Sequence, residues 1–154
     1  MGTEIERKWI VPRLPRAELL GPGESLRQGY LARDGVVEVR VRTTTSASAV
    51  TIKAGVGMSR TEVETEVSSA DAEALWPYTA GRRVEKVRHR VGLDTFVAEV
   101  DVYGDRLAGL YTVEVEFPSE ADAASFDPPE WFGREVTGDA RWSNASLAEH
   151  GLPD

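Results

Sequence analysis

Polar and apolar residues alternate along much of the chain, and the polar positions carry charge sorted by sign. The stretch 3–11 sets the pattern, with Glu4, Glu6 and Lys8 on one side and Ile5, Trp9 and Val11 on the other. This is the spacing of a β-strand, whose successive side chains point to opposite faces. The period recurs over 36–43, where Val37, Val39 and Val41 oppose Glu38, Arg40 and Arg42. It recurs over 60–67, where Arg60, Glu62, Glu64 and Glu66 oppose Val63 and Val67. Over 82–90 it aligns Lys86, Arg88 and Arg90, and over 110–117 it sets Glu114 and Glu116 against Val113, Val115 and Phe117. In 95–103, Glu99 and Asp101 share a face with Val97, so the segregation there is partial. Further strands are expected over 25–32 and 50–53.

The punctuation between these runs is that of a meander. Asp34-Gly35 is a tight hairpin signal, 43–49 a hydroxyl-rich loop, and 54–59 a glycine-containing turn. Ser68 and Ser69 ahead of Asp71, and Ser119 ahead of Asp122, have the capping signature of helix starts. Short helices are also expected near 16–20 and 143–149, with Pro128-Pro129 as a break. The sum is about eight mostly antiparallel strands with a few short helices: a mainly β (α+β) fold, expected as a single domain over 1–154.

Composition narrows the chemistry. With 154 residues and no cysteine, the chain can build a substantial core but has no disulfide, thiol nucleophile or thiolate metal site. A net charge of −8 argues against binding along a nucleic-acid backbone, but a local basic patch can still take a small anion. No basic start leads into an apolar run and no segment approaches the length of a membrane-spanning helix. A soluble, cytoplasmic protein without membrane association is therefore the expectation. Lysine is scarce: Lys8, Lys53 and Lys86 are the three in the chain, against free use of arginine.

A sheet with its polar face in water explains any one of these strands. The sorting of sign strand by strand asks for more, because like charges in a row need opposite charges beside them. Eight such strands closed into an antiparallel β-barrel, charged faces inward, give a lumen of carboxylates opposing ammonium and guanidinium groups. The basic set suits phosphate oxygens, and the acidic set suits a hard divalent cation such as Mg²⁺ or Mn²⁺.

Glu4-x-Glu6-x-Lys8 resembles the ExExK motif of the CYTH superfamily, the triphosphate tunnel metalloenzymes. The resemblance runs through Gln28-Gly29-Tyr30-Leu31, Arg40-x-Arg42, Thr51-Ile52-Lys53, Arg60-x-Glu62-x-Glu64, Lys86-x-Arg88, Glu99-x-Asp101 and Glu114-x-Glu116. It continues into Trp131-x-Gly133-x-Glu135-Val136-Thr137-x-Asp139 and Asn144-x-x-Leu147, and all three lysines fall on it. It implies an eight-stranded tunnel that binds a linear triphosphate with Mg²⁺ or Mn²⁺. Lys8, Arg40, Arg42, Lys53, Lys86 and Arg88 would hold phosphate oxygens, with Tyr30 as a further candidate contact. Glu4, Glu6, Glu62, Glu64, Asp101, Glu114 and Glu116 would serve metal ligation and the placing of water, with Glu4, Glu6 and Lys8 as the catalytic group. The implied activity is hydrolysis of inorganic triphosphate. The alternatives are a thiamine or nucleoside triphosphatase, an adenylate cyclase of the same fold, or a non-catalytic polyphosphate or nucleotide binder.

Overall fold

The computed structural model describes residues 2–154. Eight long strands follow the alternating runs: β1 (Gly2–Ile10), β2 (Gly23–Asp34), β3 (Val37–Thr44), β4 (Ser48–Ala54), β5 (Ser59–Val67), β6 (Arg83–Leu93), β7 (Phe96–Tyr103) and β8 (Tyr111–Glu116). They pair in the order β5-β4-β3-β2-β6-β7-β8-β1, and β1 returns to β5 to close an antiparallel barrel. Helices α1 (Ala17–Leu20), α2 (Ser69–Leu75), α3 (Glu120–Ser125) and α4 (Asn144–His150) are short and lie between or after the strands. Three of them start on a serine whose hydroxyl accepts a backbone N–H: Ser68 from Asp71, Ser119 from Asp122 and Ser143 from Ser146.

Two strands run further than the alternation suggests. β2 extends at both ends of 25–32, and β4 begins at Ser48, so the loop expected over 43–49 shrinks to a tight turn closed by Thr44 and Ala47. A ninth strand, β9 (Arg134–Glu135), was not expected, since two residues carry no periodicity. It pairs with β1 at Trp9 and Ile10. β9 takes over the β1 edge where β5 leaves it: the Glu6 N–H bonds the Met58 carbonyl, and the Lys8 carbonyl accepts from the Val136 N–H. One edge of β1 is thus shared between two partners while the other is paired with β8 from Glu6 to Ile10.

A charged lumen cannot serve as the hydrophobic core, and the core sits elsewhere. Its larger part lies outside the wall, where Trp9, Val100, Val113, Val115 and Phe117 are covered by Ala123 of α3 and by Phe132. Tilted and edge-on ring contacts tie Trp9, Phe96, Phe117, Phe126 and Phe132 into one group. The second part joins the inward-facing Tyr30, Val84 and Tyr103 to Leu107, Leu110, Ala145, Leu147 and Ala148. α4 therefore closes one end of the barrel with apolar side chains. Among the described residues no helix is long and apolar enough to cross a membrane.

The approach to β9 depends on Gly133. Its φ of +102° is one that side chains rarely adopt, and an added Cβ would lie 2.1 Å from the Ile10 carbonyl oxygen. Gly133→Ala is expected to cost about 2 kcal/mol or more, through backbone strain and displacement of β9. Urea unfolding checks this, and wild-type stability in the variant would show that the segment shifts freely.

Candidate active site

The inward faces of the strands enclose a cavity of about 350 Å³. Its rim is formed by the β2–β3 turn at Gly35 and Val36, the β4–β5 turn at Gly55–Gly57, and the segment 136–144. Glu4, Glu6, Lys8, Tyr30, Arg40, Arg42, Lys53, Glu62, Glu64, Arg88, Glu114 and Glu116 all line it, as the sequence led us to expect. Lys86 and Asp101 do not. Both side chains are fully buried behind the lining, with the Lys86 Nζ 2.7 Å from Asp101 Oδ2. The lining thus leaves out Lys86, expected on phosphate, and Asp101, expected on metal. Strand parity sends both inward, but they lie towards the end that α4 closes, where Asn144 Oδ1 accepts from Lys86 and from Tyr103.

Sheet register decides which lumen charges are neutralised. Lys53 stands between Glu38 of β3 and Glu62 of β5. Its Nζ lies 2.8 Å from Glu4 Oε1 and 3.4 Å from Glu62 Oε2. Lys8 stands opposite Glu114; its Nζ lies 3.7 Å from Glu114 Oε1 and donates to the Trp142 carbonyl at 2.7 Å. Arg88 grips Asp101 through two bonds of 2.8 and 2.9 Å and reaches Glu99 at 3.3 Å, while Arg60 meets Glu38 at 3.4 Å.

Arg40 and Arg42 are different. Arg40 faces Tyr30 and Thr51, and Arg42 faces Gln28 and Ala49, so both guanidiniums of β3 have uncharged neighbours on both adjoining strands. The expectation that every charged row lies beside its opposite fails here. Arg40 is 5% exposed, its Nε has no hydrogen-bond partner, and neither residue is within ion-pair distance of a carboxylate among the described residues. Burial, with Arg40 and Arg88 nearby, pulls the Arg42 guanidinium down to about 10. A buried and a half-buried cation side by side without a counter-ion are costly unless an anion arrives.

The carboxylates are set apart in the opposite sense. Burial and a hydrogen bond shared with Glu62 raise Glu4 to about 7, despite the adjacent Lys53 ammonium. Burial and the Glu114 charge push Glu6 well above the usual carboxylate range. Burial acts to raise Glu114 as well, but Lys8, Arg88 and Lys86 outweigh it and hold it well below that range. Glu4 and Glu62 therefore share a proton near neutral pH, and Glu6 and Glu114 are driven apart in the same sense, Glu6 up and Glu114 down. Asp101 stays ionised: burial would raise its pKa, but Lys86 and Arg88 prevail.

These residues fit a hard divalent cation. Every candidate donor is a carboxylate oxygen, and Glu62 Oε2 is buried without accepting a hydrogen bond. Among the described residues no three such groups converge as a ready-made cage. The lining carries nine acidic and eight basic side chains, so the two signs are nearly balanced.

Sequence reasoning passed over three residues that shape this site. Gln28 is entirely buried, donating to Tyr30 Oη at 3.0 Å and accepting from Arg42 Nε at 2.9 Å. Its shared parity with Tyr30 was the available signal. Thr137, whose Oγ1 accepts from the Lys8 backbone N–H, and Asn144 carried no signal beyond their motif positions.

A closed antiparallel barrel with carboxylates set against ammonium and guanidinium groups along its lumen has the architecture of the triphosphate tunnel, or CYTH, class. No protein-family model matches the chain. The chain is 45% identical to an inorganic triphosphatase of Nitrosomonas europaea, over 95% of this chain and 97% of that protein. It is 38% identical to an inorganic triphosphatase of Acetivibrio thermocellus, over 97% and 96% of the two. The crystal structure of an inorganic triphosphatase, 41% identical, superposes with a TM-score of 0.71 and covers 97% of this chain and 99% of that one. A Pyrococcus horikoshii protein at 20% identity, with a TM-score of 0.58 over 76% of this chain and 79% of its own, shares the fold. The chain belongs to the CYTH superfamily, among its inorganic triphosphatases.

The raised pKa of Glu4 has a signed consequence for stability. A carboxyl whose folded pKa is about 7, against an ordinary 4.5, contributes stability below pH 4.5 that is lost as pH rises through 7. Glutamine mimics the protonated form. Relative to Glu4→Gln, the wild type is therefore expected to lose up to about 3 kcal/mol between pH 4.5 and 8. Chemical denaturation across that range checks it, and a constant difference would mean that Glu4 ionises normally.

Proposed function

We propose that this protein hydrolyses inorganic triphosphate to pyrophosphate and orthophosphate in its barrel lumen, with Mg²⁺ or Mn²⁺ as cofactor. The observation that carries this reading is the unpaired state of Arg40 and Arg42 inside a cavity whose other cations are tied to carboxylates. Guanidinium forks bind phosphate oxygens in pairs, and an elongated triphosphate presents such oxygens along its length. Lys8, Lys53 and Arg88 line the same cavity and extend the contact to neighbouring phosphoryl groups.

Hydrolysis forms a bond between a water oxygen and a terminal phosphorus and breaks the bridging P–O bond, releasing pyrophosphate as the leaving group. Little covalent work falls to the protein: positioning and charge stabilisation supply most of the effect. Glu4 and Glu6 are the members of the two carboxyl pairs whose pKa is raised, and they are assigned to placing the attacking water. Arg40, Arg42 and Lys53 are assigned to the charge that develops on the leaving pyrophosphate. Glu62, Glu64, Glu114 and Glu116 are the carboxylates available with Glu4 and Glu6 to hold the metal. Bound there, a divalent cation would stabilise phosphoryl oxygens as a Lewis acid and make bound water more acidic. Lys86 and Asp101 act from behind the lining, fixing Arg88 in place.

Released phosphate from tripolyphosphate, ATP and thiamine triphosphate, each with Mg²⁺, Mn²⁺ or EDTA, tests the reading. Turnover is expected to be fastest on tripolyphosphate and abolished by EDTA; no metal-dependent hydrolysis of any of the three would overturn it. Glu6→Gln is expected to lower kcat by about two orders of magnitude with the fold intact, as seen by circular dichroism. Arg40→Ala is expected to raise KM for tripolyphosphate about tenfold or more, and an unchanged KM would remove Arg40 from the binding site.

A further inference from the structure

Gln28 lies just behind the cavity lining, against Tyr30 and Arg42, and no role in the reaction has yet fallen on it. Its side chain is 0% exposed and makes two bonds, both to lumen residues: Oε1 accepts from Arg42 Nε at 2.9 Å, and Nε2 donates to Tyr30 Oη at 3.0 Å. These partners fix the amide's orientation, because a guanidinium has only donors and can meet only the oxygen. Cross-strand register supports the same arrangement, with Gln28 directly opposite Arg42 and Tyr30 opposite Arg40.

We propose that Gln28 is a positioning residue that sets the charge of the triphosphate cradle, an inference that rests on the functional reading above. It gives Arg42 the buried acceptor that its Nε requires while leaving the positive charge uncancelled. The other cations of the lumen show the contrast: Lys8, Lys53, Arg60 and Arg88 are all held by carboxylates. A carboxylate at position 28, of equal length, would accept the same bond and neutralise Arg42 before any ligand arrived. An apolar side chain would keep the charge but strand a buried N–H. Only the longer amide answers both demands at this reach. By donating to Tyr30 Oη, the same amide also leaves the phenolic O–H free to donate elsewhere, so both β2 side chains facing the β3 arginines are neutral.

The test compares Gln28→Glu and Gln28→Met with the wild type in the full chain. Tripolyphosphate is the probe, read by isothermal titration and steady-state kinetics, with thermal unfolding in parallel. Gln28→Glu is expected to keep its Tm and to weaken both Kd and KM about tenfold or more, with kcat within about threefold. Gln28→Met is expected to lose Tm and to bind within about threefold of the wild type, since the Arg42 charge survives. A role in packing alone predicts lowered Tm in both variants with no split between KM and kcat, and that result overturns the inference. So does a Gln28→Glu variant that binds like the wild type, or a methionine variant that loses as much affinity as the glutamate. Should the glutamate variant fail to fold, the methionine variant decides: a tenfold loss there overturns the inference, and near-normal binding supports it. A wild-type protein that does not bind tripolyphosphate overturns the functional reading and this inference together. Unchanged binding in Gln28→Glu beside a binding wild type overturns this inference alone.

Discussion

The period of two along a β-strand, closed on itself, is the constraint on which everything else rests. In an open sheet the polar face of each strand meets water, and the order of its charges matters little. In a closed barrel that face becomes an interior, and each inward side chain acquires two cross-strand neighbours that it cannot choose. Register then decides the electrostatics. Lys53 is delivered to Glu38 and Glu62, whereas Arg40 and Arg42 are delivered to tyrosine, threonine, glutamine and alanine. Slipping β3 by one residue would exchange its valines for its arginines throughout. The chemistry of the lumen is thus written in pairings rather than in composition.

Giving the lumen to charge displaces the hydrophobic core, and the outer elements follow from that displacement. The apolar faces of β1, β7 and β8 need cover on the outside, which α3 and the aromatic group around Phe132 provide. The end closed by α4 needs apolar filling inside, which Tyr30, Val84 and Tyr103 supply with Leu147. Lys86 and Asp101 mark the seam between apolar filling and charged lumen. Their buried pair is tolerable because each has further partners, Asn144 for the lysine and Arg88 for the aspartate.

Much of this was legible in the sequence. Alternation located the eight long strands, and parity separated lumen from wall for Glu4, Glu6 and Lys8 as well as for Arg40 and Arg42. What escaped was what periodicity cannot encode. β9 is too short to show a period and exists because β1 has an edge left over beyond β5. Lys86 and Asp101 share the parity of Arg88, but depth along the barrel, fixed by where α4 docks, separates them from the ligand space. Charge counting also suggested that every row of one sign meets the other; pairing partners are a matter of register, and register lies in three dimensions.

β1 closes the barrel from the far end of the chain, and this bears on how the protein forms. Its partners β8 and β9 lie more than a hundred residues downstream, and Arg7 meets Glu135 across a separation of 128 positions. The hairpins from β2 to β5 and from β6 to β8 are local and can zip early. The pairings of β1 with β8 and β9 span far longer separations than its pairing with β5, and contacts of such separation form slowly. Glu6 and Lys8 gain Glu116 and Glu114 as neighbours only through the pairing with β8. The carboxyl pairs and the uncancelled arginines thus meet in one lumen only when the barrel is closed.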